Sequence, residues 1–415
     1  MAWDILITNI KGLVQVRDST PNVLSGGAMA ELPILENAFL AIQNGVIVDY
    51  GSMQSLSSTT SNEVVDASNR FVLPSFVDSH THLVFAASRE EEFVMKIKGA
   101  SYAEIAARGG GILNSAQKLQ GISEDELFER SLKRAIEIIK TGTGAVEIKS
   151  GYGLTVNDEL KMLRVARRLG EQTPLKVKTT FLGAHAVPKS HTKSDYIQLI
   201  MQEMIPAVAE EKLADYIDVF CEEGFFNPDE TEMIAEEGKK FGMRPRIHAN
   251  QLHRSGGVQV GVKVNAISVD HLENIGREEI EILQNSQTIP TALPGAAFFL
   301  NLPFPPARDI INANLPLAIA SDFNPGSAPS GNMSLMIALA CIKMRLTPEE
   351  AFNATTVNTA AAMEILNTHG SITKGKVANI SITKPMSSLA YLPYSFGTQL
   401  IDQVILNGKF VLRAE

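Results

Sequence analysis

The chain has 415 residues, of which 45% are hydrophobic and 20% are charged, and its formal net charge is −9. This composition is typical of a folded protein with a large core, and the acidic balance, without a run rich in lysine and arginine, argues against nucleic-acid binding. No apolar run reaches the ~20 residues that a membrane-spanning helix needs. The only cysteines are Cys221 and Cys341, so a disulfide scaffold is excluded and any metal site must use histidine and carboxylate ligands.

Both ends of the chain have the alternating pattern of β-structure. The N-terminal sequence MAWDILITNIKGL has neither a basic leader nor a small-residue cleavage site, which predicts a cytosolic protein. The segment AFLAIQNGVIVDYG alternates around Asn44-Gly45, and QVILNGKFVL alternates around Asn407-Gly408. Each Asn-Gly pair is a strong signal for a two-residue β-hairpin. We therefore predict that the two termini together form one small β-sandwich domain.

The middle of the chain consists of short apolar runs separated by helical segments. Helix start signals lie between the runs, such as Ser123 followed by Glu126 and Thr347 followed by Glu350. Repeated β-α units with parallel strands predict a closed (β/α)8 barrel, in which working residues lie at the C-terminal strand ends. The eight runs are LPSFVDSHTH, GAVEIKSGYG, LKVKTTFLGAH, YIDVFCEEGF, PRIHANQ, NAISVDHLEN, TIPTALPGA and PLAIASDFNPG. The predicted division is 1–72 and 371–415 for the β-sandwich and 73–370 for the barrel.

Side chains suited to metal binding and proton transfer cluster at the predicted strand ends. His80 and His82, two residues apart at the end of the first run, project to the same side of an extended backbone. Asp322 ends the last run, where a buried carboxylate without a cation would carry a large desolvation cost. Neutral imidazoles and a carboxylate, with one position left for water, form the ligand set of a catalytic divalent metal site. The other such strand-end residues are Tyr152, His185, Glu222, Glu223, His248 and His271.

Each of these features has a structural alternative on local sequence alone. An isolated His-X-His pair lies more often on a surface or in a core than at a metal, and His248 and His271 could each be a satisfied core histidine. Arg89, after the first run, could form a bidentate pair with a substrate carboxylate or could be a solvated arginine beside the acidic residues 90–92. Gly326 could allow close approach of a ligand or could simply be a turn residue. The concentration of five histidines at strand ends favours the metal site.

Five segments carry a more specific pattern, and they extend beyond the candidate metal ligands. They are DSHTHLVFAASREEEF, IKSGYGL, ELKMLRVARRLG, FLGAHAVP and SDFNPGS. These segments resemble the amidohydrolase superfamily and, within it, the imidazolonepropionase family, over nearly the whole chain. The resemblance implies a hydrolase that acts on a cyclic amide C–N bond. Its expected reaction is the ring opening of 4-imidazolone-5-propanoate to N-formimino-L-glutamate in histidine degradation.

The resemblance also implies one divalent metal ion, zinc or iron, and names its ligands. They are His80, His82, His248 and Asp322, the same four residues that the strand-end spacing favours. The fourth run, with VFCEEGFF, offers no lysine that could be carbamylated to bridge a second metal. Asp322 is further expected to accept a proton from water. His271 is expected to orient that water and stabilise the oxyanion, or else to hold Asp322 in place.

Substrate contacts follow from the same resemblance. Arg89 is expected to bind the propionate tail, and Tyr102 is a further candidate. One departure from the pattern concerns Gln251, because related enzymes commonly carry a glutamate three residues after the strand-five histidine. An amide cannot shuttle protons, so Gln251 is assigned to binding the ring N–H or carbonyl. The remaining implied contacts are Tyr152, His185, Asn324, Gly326 and Ser327.

Other functions remain open on the sequence. One alternative is a related hydrolase or deaminase that acts on another small nitrogen heterocycle, although such deaminases use the glutamate that Gln251 replaces. Another alternative is a barrel that has lost catalysis and serves as a scaffold, against which the intact ligand set argues. The expected partner is a small-molecule substrate, with no nucleic acid and no membrane. The resemblance also implies a homodimer.

Overall fold

The computed structural model describes residues 2–100 and 110–413. Within these ranges the chain forms an eight-stranded parallel barrel and a second, mainly antiparallel sheet. Tyr102, one of the predicted substrate contacts, lies outside the described residues. No helix in the described ranges has both the length and the apolar character needed to cross a bilayer. The barrel predicted from the eight apolar runs is confirmed.

The strands appear where the sequence patterns predict them. Each of the two Asn-Gly pairs forms a hairpin, and Asn44, Gly45, Asn407 and Gly408 have φ values of 52°, 79°, 51° and 72°. Positive φ at both central residues is the requirement of a type I′ turn. In chain order the strands are β1 (Trp3–Val14), β2 (Ile34–Gln43), β3 (Val46–Ser52), β4 (Ser61–Asp66), β5 (Phe71–Pro74), β6 (Phe76–Asp78), β7 (Thr143–Lys149), β8 (Lys176–Ala184), β9 (Tyr216–Cys221), β10 (Arg244–Ala249), β11 (Ser268–His271), β12 (Ile289–Ala292), β13 (Ala318–Ile319), β14 (Ile380–Thr383), β15 (Ile401–Leu406) and β16 (Lys409–Leu412).

Both ends of the chain contribute to the second sheet, as predicted. Its strand order is β16-β15-β14-β5-β1-β2-β3, and β4 pairs with β1. Strand β5 leads directly into β6, the first barrel strand, so the sheet and the barrel share a continuous backbone at residues 71–78. The division into domains at residues 72 and 370 stays a prediction.

The barrel strands follow one another in sequence order from β6 to β13. All six residues of β9 are buried, as expected for parallel strands that are covered on both faces. The barrel closes beyond β6 and β13 through two backbone hydrogen bonds. Asp322 N–H donates to the His80 carbonyl at 3.0 Å, and His82 N–H donates to the Phe323 carbonyl at 2.9 Å. This closure places the ends of the first and last strands side by side.

Helices surround the barrel, and their predicted start signals are confirmed. Ser123 accepts a hydrogen bond from Glu126 N–H at the start of one helix, and Thr347 and Glu350 form a capping box at another. In chain order the α-helices are α1 (Glu90–Ile97), α2 (Ile112–Gln120), α3 (Glu124–Lys140), α4 (Val156–Gln172), α5 (Lys193–Leu199), α6 (Ile205–Glu210), α7 (Pro228–Lys240), α8 (Gly257–Lys263), α9 (Arg277–Gln284), α10 (Pro294–Leu300), α11 (Ala307–Asn312), α12 (Met333–Met344), α13 (Pro348–Thr355), α14 (Val357–Ala362) and α15 (Tyr391–Tyr394).

His369, a buried histidine in the segment between α14 and β14, is expected to make stability depend on pH. Burial, together with the charges of Lys176 and Lys376, lowers the pKa of His369 from 6.5 to about 4. The unfolded chain binds the proton near pH 6.5, so stability is lost as the pH falls from about 6.5 to about 4. A shift of this size corresponds to about 3 kcal/mol.

Between about pH 7.5 and about pH 5, the unfolding free energy of His369→Gln is expected to fall less than that of the wild type. The reason is that glutamine does not bind the proton that the unfolded wild-type chain takes up at residue 369. Urea denaturation at the two pH values measures the difference. Comparing the two proteins cancels the contributions of the other titrating groups. Identical pH dependence in variant and wild type would contradict the role of His369.

Candidate metal centre and active site

The four predicted metal ligands meet at the C-terminal mouth of the barrel, and all four are buried. His82 Nε2 lies 3.4 Å from His248 Nε2 and 3.7 Å from Asp322 Oδ1. His80 Nε2 lies 3.6 Å from the same carboxylate oxygen. A tetrahedral site with ligand bonds of about 2.1 Å has donor atoms about 3.4 Å apart. The observed spacing is therefore that of donor atoms around a single cation.

Buried carboxylates determine which nitrogen of two histidines faces this cluster. Asp270 Oδ2 lies 2.7 Å from His80 Nδ1, and Asp218 Oδ2 lies 3.0 Å from His248 Nδ1. Because an ionised carboxylate only accepts hydrogen bonds, each Nδ1 carries the hydrogen and each Nε2 has a free lone pair. Within the described residues, the buried His80 Nε2 has no hydrogen-bond partner. The free lone pair of His80 Nε2 lies next to three other atoms that can bind a metal, and this arrangement fits a divalent metal site.

A buried ion network lies behind these carboxylates. Lys149 Nζ lies 2.8 Å from Asp218 Oδ2 and 3.0 Å from Glu147 Oε1. Arg246 Nη2 lies 3.4 Å from Asp270 Oδ2. Although burial lowers the pKa of Lys149, the charges of Asp218 and Glu147 raise it above its ordinary value. The two cations therefore hold the two carboxylates that orient the histidines.

His271 and Asp322 combine proton chemistry with unusual backbone conformations. Their φ values are 89° and 56°, in the left-handed region that non-glycine residues rarely adopt. Burial raises the pKa of Asp322 to about 6. Burial by itself lowers the pKa of His271, but the charge and hydrogen bond of Glu273, 3.3 Å away, raise it above its ordinary value. One atom each of His80, His271 and Asp322 lie within 4.8 Å of one another, so His271 borders the cluster directly.

A cavity of about 520 Å³ opens above the cluster. Such a volume suits a small organic ligand. His82, His248, His271 and Asp322 form part of its wall. Seven of the predicted substrate contacts, all those that fall within residues 2–100 and 110–413, also line it, namely Arg89, Tyr152, His185, Gln251, Asn324, Gly326 and Ser327. The structure therefore brings the predicted metal ligands and the predicted contacts together around one space.

Arg89 enters this cavity against Gly326. A Cβ atom on residue 326 would lie 2.1 Å from Arg89 Nη1 and 2.6 Å from Arg89 Cζ, so only glycine allows the guanidinium to lie there. Glu92 accepts hydrogen bonds from Arg89 Nε at 2.9 Å and Nη2 at 2.6 Å, and from Asn114 Nδ2 at 3.0 Å. The Arg89 side chain is only 12% exposed. It is therefore a fixed cavity residue and not the solvated arginine of the alternative interpretation.

The side chain of Asn324 holds the loop after the last strand through hydrogen bonds. Its Oδ1 accepts hydrogen bonds from the N–H groups of Gly326 and Ser327, both at 2.8 Å. Ser327 Oγ donates to Asp322 Oδ2 at 3.2 Å. The loop thus connects the carboxylate of the cluster to the glycine that borders Arg89.

His185 and Tyr152, which also line the cavity, lie side by side with ring centroids 5.3 Å apart. Burial lowers the pKa of His185 to about 3, so this imidazole is neutral at physiological pH. Gln251 is almost completely buried, and its backbone carbonyl accepts a hydrogen bond from Asn274 Nδ2 at 2.7 Å. Glu222 accepts from the N–H of Leu252 at 2.8 Å. These contacts fix the loop that carries the glutamine.

Comparison with known families supports this arrangement of barrel, cluster and cavity. The model of the amidohydrolase family matches residues 71–411. The chain belongs to the amidohydrolase family. The match covers every barrel strand from β6 to β13 and all the residues of the cluster.

Relatives and solved structures extend the comparison. This amidohydrolase is 55% identical to an imidazolonepropionase from Flavobacterium johnsoniae over 98% of this chain and 99% of that protein. It is 54% identical to an imidazolonepropionase from Christiangramia forsetii over 98% of this chain and 100% of that protein. An E. coli guanine deaminase superposes with a TM-score of 0.77 at 12% identity, over 99% of both chains. At that identity the structural likeness shows the fold alone.

Sequence reasoning missed several residues of this site. In this amidohydrolase, Lys149 and Arg246 lie in strands, and their charged side chains are buried. A charged residue inside an apolar strand run is the sequence signal that could have identified them. Glu92 belongs to the acidic run 90–92, to which the sequence assigned no role, yet it is buried against Arg89. Glu222 was assigned to a strand end without a role, and the structure shows it holding the neighbouring loop. Glu223, the next strand-end acid, is exposed.

Proposed function

We propose that this amidohydrolase is an imidazolonepropionase, which hydrolyses 4-imidazolone-5-propanoate to N-formimino-L-glutamate. The observation that carries the proposal is a single cavity that holds both a His/Asp cluster and the fixed guanidinium of Arg89. A cyclic amide with a carboxylate tail requires both features. Relatives of that name, 53–55% identical over nearly the full length, support the choice of substrate.

We infer that one divalent cation, zinc or iron, is held by His80, His82, His248 and Asp322. When bound, such a cation supplies Lewis-acid polarisation of a carbonyl and lowers the pKa of water toward neutrality. Strand β9 contributes no lysine to the cluster, which supports one cation over a carbamate-bridged pair. Imidazole and carboxylate ligands suit both ions.

Asp322 and His271 are assigned the proton transfers. The carboxylate of Asp322 lies at the cluster and can take a proton from the attacking water. That proton can then pass to the ring nitrogen as the C–N bond breaks, so that the first products are a carboxylic acid and an N–H group. The acid then ionises to the carboxylate by releasing the second proton of the water to solvent. His271, whose pKa Glu273 raises, can donate a hydrogen bond to the oxyanion that develops on the carbonyl. These roles leave Gln251 free of proton transfer.

Recognition of the substrate is assigned to Arg89 and to other residues that line the cavity. Arg89 can form a charge-assisted pair with the propionate tail, for which its orientation by Glu92 prepares it. Neutral His185 can accept a hydrogen bond from a ring N–H, and Gln251 can donate to or accept from the ring amide. The ring of Tyr152 lies next to that of His185, tilted by 47°, and contributes apolar contact area. Asn324 and Ser327 act from the loop that holds Asp322.

Ring opening and deamination are distinguished by their products. We expect purified protein to remove the absorbance of 4-imidazolone-5-propanoate without releasing ammonia, because water cleaves the ring amide. Chelation should abolish the activity, and Zn²⁺ or Fe²⁺ should restore it. Ammonia release in step with turnover would instead show an aminohydrolase that acts on another nitrogen heterocycle. A protein that binds no metal and turns over no substrate would be a scaffold.

Gly326→Ala is expected to raise KM by on the order of 10- to 100-fold, with a smaller effect on kcat, because the added methyl group displaces the Arg89 guanidinium. Steady-state kinetics measures both constants. Gly27→Ala is the matched control, since a Cβ atom at residue 27 meets nothing within 4 Å. An unchanged KM in Gly326→Ala would contradict the placement of Arg89 against this glycine.

A further inference from the structure

Glu159, in the first turn of α4, is a fully buried carboxylate that the proposed reaction does not use. It forms no ion pair with a lysine or arginine in the part of the chain that the structure describes. Instead its oxygens accept hydrogen bonds from three backbone N–H groups, of Gly151 at 3.0 Å, Gly153 at 2.8 Å and Leu154 at 2.9 Å. A carboxylate in such a ring of N–H donors fixes the conformation of the loop that supplies them. The segment that supplies these donors, between β7 and α4, is called the 151–154 loop below.

The 151–154 loop has a backbone that needs such support. Leu154 has a φ of 57° and Gly151 a φ of 109°, both in the left-handed half of conformational space. A Cβ atom on Gly153 would lie 2.4 Å from Glu159 N, so glycine allows the helix start to approach the loop. Conformations of this kind persist only where the surrounding structure holds them.

The 151–154 loop contains one cavity residue, Tyr152, and holds a second, His185, through a hydrogen bond. Tyr152 belongs to the loop and lines the cavity. The Gly151 carbonyl lies 3.0 Å from His185 Nδ1. Because a carbonyl only accepts, His185 carries its hydrogen on Nδ1, and Nε2 is left as an acceptor. The loop conformation therefore decides which hydrogen-bond character His185 has in the cavity.

A second contact connects Glu159 to the strand that carries His185. The Ser150 side chain lies close enough to the Glu159 carboxylate to oppose the rise in its pKa that burial causes, and Ser150 Oγ accepts a hydrogen bond from Leu182 N–H at 3.0 Å. Leu182 lies in β8, three residues before His185. Glu159 thus holds both the carbonyl that fixes the imidazole and the strand end from which the imidazole projects.

We propose that Glu159 is a positioning residue for substrate recognition, which sets the tautomer and the place of His185 through the 151–154 loop. The site then accepts a heterocycle that presents a ring N–H to His185 and disfavours one whose nitrogen is alkylated. The identity of this heterocycle as an imidazolone rests on the proposed function. The role of Glu159 in fixing His185 does not.

Glu159→Gln tests the proposal, because an amide keeps the size of the side chain but turns an N–H₂ group toward the N–H donors of the loop. We expect KM to rise by on the order of 10- to 100-fold, while kcat falls less than about threefold and the metal content per chain is unchanged. In protein labelled with ¹⁵N-histidine, the chemical shifts of the two His185 ring nitrogens should no longer be those of the Nδ1–H tautomer. The signals that disappear in His185→Asn are those of His185. Asp158→Asn is the matched control, since Asp158 lies in the same turn and faces Thr155 and Lys161.

Wild-type KM and wild-type His185 signals in Glu159→Gln would overturn the proposal. Should that variant fail to fold, Ser150→Ala removes the link between Glu159 and β8 and is expected to change KM and the His185 signals in the same direction. No change in Ser150→Ala would then overturn it. If wild-type protein does not open the imidazolone ring, the proposed function fails, and the ¹⁵N measurement still decides the role of Glu159.

Discussion

Asp322→Asn is expected to lower kcat by a factor on the order of 10² to 10⁴, because the asparagine amide cannot accept a proton from water. The fold of the loop should survive, since Asn324 Nδ2 donates to the backbone carbonyl of residue 322 at 2.6 Å, a hydrogen bond that the variant keeps. Kinetics with purified variant and wild type, each with its metal content determined, measures the effect. Asp309→Asn, an exposed aspartate on α11, should have wild-type kcat.

The metal content separates the two roles of Asp322. A neutral amide is also a weaker ligand than a carboxylate, so the variant is expected to need more added Zn²⁺ to reach saturation. The loss of kcat should persist at saturation if Asp322 transfers protons. Full recovery of kcat by added metal would show that Asp322 is a ligand only, and proton transfer would then fall to another group.

Arg89→Met is expected to raise KM by on the order of 100-fold or more, because the variant removes a charge-assisted pair with the propionate tail but keeps much of the side-chain volume. The arginine is oriented before the substrate binds, since Glu92 and Gly326 fix it from two sides. A fixed partner loses little conformational freedom on binding, which increases its effect on affinity. Steady-state kinetics measures KM, and Arg277→Met, a change of an exposed arginine, should leave it unchanged.

A substrate analogue without the carboxylate makes this test specific. Combining the protein variant with the truncated analogue gives a double cycle, in which the loss from Arg89→Met should be large for the full substrate and small for the analogue. Equal losses for both molecules would mean that Arg89 acts on cavity structure and not on the tail. The cycle does not depend on how much the variant destabilises the protein.

The features that the sequence predicts correctly are those determined by local patterns or by the barrel itself. Asn44-Gly45 and Asn407-Gly408 specify hairpins because both residues of a type I′ turn need positive φ. The quartet around His80 and Asp322 is predictable because parallel strand ends meet at one rim of a closed barrel. Closure then brings residue 80 within hydrogen-bonding distance of residue 322, although they are far apart in the chain.

The features that the sequence does not predict depend on contacts between distant segments. Lys149 and Arg246 become counterions of Asp218 and Asp270 only once four strands are assembled. Glu92 and Glu159 lie on helices with ordinary acidic first turns, and their burial depends on loops that fold over them. A single sequence contains no signal that separates such acids from solvated ones.

We propose that one cation in the cluster of His80, His82, His248 and Asp322 supports ring opening. The most direct test of this proposal is the titration of metal-free protein with Zn²⁺ or Fe²⁺, with loss of imidazolone absorbance measured after each addition. We expect no activity without metal, a linear rise in activity as metal is added, and a plateau at one equivalent per chain. Activity in the metal-free protein, or a plateau at two equivalents, would contradict the proposal.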